Sequence, residues 1–123
     1  MNKVIIDNLG NNYKETDENG FFYGCFEPMY LIHPDCPRFK KPMELKEYSS
    51  FAIKNILRLF NKVENPQEYD IIVLKFPNEI IHIGLYLGDN KICETFKNGK
   101  LHIKEINILK HRYVGYFRMK EVE

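Results

Sequence analysis

The sequence lacks tryptophan altogether and holds only three cysteines in 123 residues. So few thiols, and an odd number of them, do not make a disulfide framework; each reads as a free thiol. An excess of charge of one sign is also missing. Eighteen Lys and Arg stand against seventeen Asp and Glu, a net +1 with no basic arm and no acidic tail. Nucleic-acid binding through a phosphate-seeking surface is therefore not expected. Long apolar runs are absent too: Ile71–Leu74 is typical, far below the roughly 18 residues of a membrane span. The opening MNKVIIDNLGNNYK has no signal-peptide core, so Sec export is not expected. No repeat, low-complexity tract or linker interrupts the chain.

What is present is an ordinary globular make-up, 44% hydrophobic, 14% aromatic and 28% charged, which excludes disorder. A single domain over residues 1–123 buries roughly two-thirds of its unfolded surface and needs no staples. Residues 3–6 suggest a short strand, and the polar GNNYKETDENG at 10–20 a loop. CFEPMYLIH from Cys25 to His33 suits a helix with Pro28 in its first turn, stopped by Pro34. Pro34, Pro37 and Pro42 make residues 34–43 an irregular connection. Leu45, Tyr48, Ala52, Ile56, Leu59 and Val63 recur at three- and four-residue steps, which predicts an amphipathic helix over 44–62.

The second half changes period. YDIIVLKF, IIHIGLYL, KICETF, KLHIKEI and RYVGYFRM are short β-branched and aromatic runs separated by Pro-Asn, Gly-Asp-Asn and Lys-Asn-Gly turn signals. Runs this close pair as antiparallel neighbours, because a parallel crossover needs a dozen or more residues. The expected class is α+β, with N-terminal helices packed on an antiparallel meander.

On the strand Ile80–Leu87, Ile81, Ile83, Leu85 and Leu87 share one face, and Ile80, His82, Gly84 and Tyr86 the other. The first face is core. A mid-strand glycine such as Gly84 often marks close approach of another backbone or a ligand. Folding back at Gly88-Asp89-Asn90 places Glu94 or Thr95 opposite or diagonal to His82, an imidazole with a carboxylate in reach. Read on this strand alone, His82 is better explained by a structural hydrogen bond. Cys25 follows Gly24 and opens a helix, where free N–H groups and the dipole favour a thiolate. Cys36 lies in an irregular loop, and Cys93 faces away from Glu94. Metal ligation has only the lone His33–Cys36 spacing in its favour.

At these residues the chain resembles the NlpC/P-sixty cysteine peptidases, over about residues 11–118. HIGLYLGDNK at His82–Lys91, between YDIIVLKF and ICETF, is similar to the stretch in which that family's catalytic histidine sits. NNYKETDENGFFYGC resembles the stretch around its nucleophile, with Tyr13 twelve residues before Cys25. HPDCPRF resembles a segment of phage-tail members. Gly24 and Phe26-Glu27-Pro28 depart from the pattern, Tyr69-Asp70 stands where Gly-Asp is usual, and Glu94 replaces a third polar residue that is most often His.

The resemblance implies a papain-like fold and hydrolysis of peptide amide bonds in bacterial peptidoglycan. Cys25 would be the nucleophile, His82 the base and Glu94 its orienter, with Tyr13 contacting substrate and no metal or organic cofactor. It also implies a phage tail or tail-tip component, in the virion or in the bacterial cytoplasm before assembly. The expected partners are the peptidoglycan peptide stem and other tail proteins, with no nucleic acid and no membrane span. The alternatives are a structural tail protein that keeps the fold without turnover, and a cytoplasmic thiol acyltransferase or amidase.

Overall fold

The computed structural model describes residues 2–13, 21–22, 24–40, 45–75, 81–95, 99–106 and 112–120. Most of the expected 10–20 loop and the Pro-Asn turn lie outside them. The first element is a helix, α1 (Lys3–Asn8), which corrects the strand expected at residues 3–6. Asn2 decides it. Its side-chain oxygen accepts the Val4 N–H at 2.7 Å, capping a donor that a helix start leaves orphaned.

Strand β1 (Phe21–Phe22) leads to a 3-10 turn at Gly24–Phe26 and then to helix α2 (Glu27–Ile32). Pro28 stands in the first turn of α2, where no backbone donor is needed. The proline-rich connection contains a regular piece that was not expected. Phe39 and Lys40 keep their backbone donors between Pro37 and Pro42 and form β2, antiparallel to β1.

Helix α3 (Leu45–Leu59) buries Ala52 and Ile56, but it stops short of the expected residue 62. Phe60–Val63 is strand β3, paired from Phe60↔Met119 to Val63↔Tyr116. Here pairing with a distant strand and burial of Phe60 outweigh one more helical turn.

The strands that follow are β4 (Ile71–Lys75), β5 (Ile81–Gly88), β6 (Lys91–Glu94), β7 (His102–Glu105) and β8 (Arg112–Met119). They form a six-stranded antiparallel sheet in the order β3-β8-β4-β5-β6-β7. The class is α+β. The expected meander holds from β4 to β7, but β8 returns to lie between β3 and β4. Beside β4 it sets Phe117 against Ile71 in the core, whereas β7 is a half-exposed edge. Between β5 and β6, Gly88, Asp89 and Asn90 take φ of 86°, 50° and 61°. That run of left-handed residues suits Gly, Asp and Asn.

One face of the sheet, with Ile71, Val73, Ile83, Leu85, Cys93 and Phe117, packs in the main core with Ile5, Phe26, Met29, Tyr30 and Ile56. The other face also carries a buried cluster, Ile72, Leu74 and Ile92. Leu85 is fully buried in the main core, so Leu85→Ala should cost about 2–5 kcal/mol in urea unfolding. Leu57, 59% exposed, should tolerate Leu57→Ser within about 0.5 kcal/mol.

Candidate active site

His82 is the second residue of β5, across from Leu74 of β4, and is only 3% exposed. The β5–β6 register pairs Leu85 with Cys93 and Tyr86 with Ile92. Continued one step, it sets Glu94 across from Gly84, diagonal to His82 on the same face. The alternation turns Thr95 the other way, so Glu94 and not Thr95 meets the ring. Glu94 Oε2 bonds His82 Nε2, and the carboxylate is wholly buried.

Gly84 does not admit a backbone or a ligand, as its place in the strand suggested. A Cβ there would stand 3.1 Å from Ile92 Cδ1 and 3.3 Å from Ile72 Cγ2. Isoleucines from the two neighbouring strands fill the gap.

Cys25 stands half-buried in the 3-10 turn, which packs against β5. Its thiol lies within hydrogen-bond reach of the His82 ring. With Nε2 committed to Glu94, Nδ1 is the nitrogen left to face the thiol. Cys36 and Cys93 are buried in the main core. The structure thus brings together Cys25, His82 and Glu94. Tyr13 is half-buried; its hydroxyl donates to Asn8 Oδ1 at 3.1 Å and its N–H to the Gly99 carbonyl at 2.8 Å.

Burial by itself would push the His82 pKa down. Hydrogen bonds and negative charge from Cys25 and Glu94 outweigh it and raise the ring to about 9. For Glu94 burial acts upward, and His82 followed by Lys104 holds the carboxyl down at about 2. Burial pushes the Cys36 thiol up to about 11. Burial, helped by the Glu94 charge, pushes Cys93 up to about 12.

Two groups at this site escaped the sequence reading. The β6–β7 register pairs Glu94 with His102 and Ile92 with Lys104, so both β7 side chains share the face of Glu94. Lys104 Nζ lies 2.6 Å and His102 Nε2 3.4 Å from Glu94 Oε1. The Lys104 contact is an ion pair without the alignment of a hydrogen bond. The alternation of His102 and Lys104 in KLHIKEI was the available signal, and it points to Glu94 only once β6 and β7 are paired. Among the described residues, no three or more His, Cys, Asp or Glu are grouped to hold a metal ion.

No protein-family model matches the chain, and no curated protein matches it. No described helix is long and apolar enough to cross a membrane.

Iodoacetamide at pH 7 should label Cys25 first, because Cys36 and Cys93 are buried and held protonated; peptide mapping that finds Cys36 labelled first would overturn this. The buried pair also sets a pH dependence of stability. His82, raised to about 9 from 6.5, stabilises fully below 6.5 and loses that contribution as pH rises through about 9. Glu94, lowered to about 2 from 4.5, stabilises fully above 4.5 and loses it as pH falls through about 2. Urea titrations should show this contribution level between these inner limits and declining on either side, with shallower slopes in Glu94→Gln.

Proposed function

We propose that this chain is a thiol hydrolase of the NlpC/P-sixty type, papain-like in fold, that cleaves peptide amide bonds of bacterial peptidoglycan as a phage tail or tail-tip component. The observation that carries the reading is the succession of thiol, imidazole and buried carboxylate at Cys25, His82 and Glu94. Tyr69 adds support. It holds φ of 75°, a conformation that favours glycine, at the position where the resembled pattern has glycine. The next residue, Asp70, is buried and accepts two hydrogen bonds from Arg118.

The chemistry follows from these groups. From the neutral form of His82, its one proton on Nε2, Cys25 gives its Sγ proton to Nδ1, and the thiolate attacks the amide carbonyl carbon. The oxyanion accepts a hydrogen bond from the Cys25 backbone N–H. As the tetrahedral species collapses, the C–N bond breaks and the imidazolium proton goes to the leaving amine. Water then attacks the thioester and gives a proton to His82. Breaking the C–S bond releases the acid, and that proton returns to Cys25. Glu94 keeps the Nε2 proton in place and balances the imidazolium. Tyr13 is a substrate contact in this reading.

A structural tail protein of the same fold is the other reading. Phe26 and Glu27, both buried directly after the thiol, favour it, since the resembled pattern has small residues there.

Zymography on cell-wall gels separates the two. Hydrolysis predicts clearing by the wild-type chain and none by Cys25→Ser or His82→Ala. Glu94→Gln should slow turnover by about 100-fold or more and bring the His82 pKa below its value of about 9. A wild-type chain that clears nothing yet is retained by tail proteins would establish the structural role instead.

A further inference from the structure

The line from Cys25 through His82 does not end at Glu94. We propose that Lys104 is a positioning residue of this site, acting through Glu94 to keep its carboxylate charged and aimed at His82. The proposal rests on the reading of Cys25 and His82 as the reacting pair, and adds to it a residue on a third strand.

The two oxygens of Glu94 are divided between two partners. Oε2 takes His82 Nε2, and Oε1 faces Lys104 Nζ at 2.6 Å. The groups that face this carboxylate are His82 from β5 and His102 and Lys104 from β7, with the Cys93 thiol beside it on β6. Its need for a second cation appears during proton transfer. To accept the thiol proton, His82 must be neutral, with its one proton on Nε2 and Nδ1 open. In that state the imidazole carries no charge, and a fully buried Glu94 would be left as an uncompensated anion. Such a carboxyl takes up a proton, and a protonated Glu94 no longer serves as the anionic acceptor that holds the Nε2 proton.

Lys104 meets the need because its charge does not depend on the state of the imidazole. His102 is a weaker substitute, since it stands farther off at 3.4 Å and is charged only when protonated. Lys104 is also placed cheaply. Its side chain is 33% exposed, so the ammonium stays partly hydrated while it reaches a carboxylate with no exposure at all. The ladder fixes the approach, because Lys104 pairs with Ile92, two residues before Glu94 on the same face.

The test is a pH titration of the full chain, with the Glu94 carboxyl carbon and the His82 ring followed by NMR in wild type, Lys104→Met and Lys104→Arg. The Cys25 alkylation rate is measured over the same pH range. In Lys104→Met the Glu94 midpoint should move up by about one pH unit or more. Cys25 alkylation should be slower in Lys104→Met, and Lys104→Arg should restore both the rate and the Glu94 midpoint. Lys104→Gln gives the same readout if Lys104→Met does not fold. Glu94 and His82 curves in the uncharged variant that superimpose on wild type would overturn the proposal. The titration needs no substrate, so a wild-type chain without turnover would sink the hydrolase reading while Lys104 is still judged on its own result.

Discussion

A carboxylate with no exposed surface holds a buried imidazole, and much of the molecule answers to that one contact. Taking Glu94 and His82 out of water costs several kcal/mol per ion unless the partners are well placed. Three strands supply the placement: β5 brings His82, β6 brings Glu94, and β7 brings Lys104 and His102. Side chains alternate with a period of two, so a one-residue slip in either ladder would turn Glu94 or its cations to the wrong face. The site exists only in this register.

The register has its own supports. The Gly88-Asp89-Asn90 turn accepts three left-handed residues in succession and so sets where β6 begins. Ile72 and Ile92 close over Gly84 between His82 and Tyr86, and with Leu74 they form a buried cluster on this face of the sheet. On the far side Arg118 of β8 grips Asp70 with two hydrogen bonds, at 2.9 and 2.8 Å, and ties the entry of β4 to its neighbour. Asp70 is buried while Arg118 is half-exposed, so the pair contributes by satisfying the carboxylate more than by Coulomb attraction. Tyr69, just before it, keeps its left-handed backbone with its N–H donated to Tyr86, its carbonyl bonded to His33 and its hydroxyl accepting from Asn2.

Where expectation and structure part within the sheet, the cause is a contact between residues distant in the chain. Phe60–Val63 has the pattern of a helix end, yet its backbone pairs with β8. The return of β8 to lie beside β4 follows from burying Phe117, which no local signal in RYVGYFRM expresses. Gly84 carries a true signal of crowding, but the crowding comes from isoleucine side chains on two other strands. At α1 the signal was local and small, a single Asn2 cap against three apolar residues that also suit a strand.

By itself the sequence determined what depends on near neighbours. Pro28 and Pro34 bound a short helix, the three- and four-residue steps set α3, and Gly-Asp-Asn between two alternating runs set the hairpin. From that hairpin alone the meeting of His82 with Glu94 or Thr95 was legible, because one turn joins the two strands, and the register then chose Glu94. Only the tertiary structure decided that the Cys25 turn packs against β5, that β8 enters the sheet beside β4, and that Lys104 stands on the far oxygen of Glu94. The physical reason is that such contacts are selected by burial and charge balance across the whole core, which no window of neighbouring residues contains.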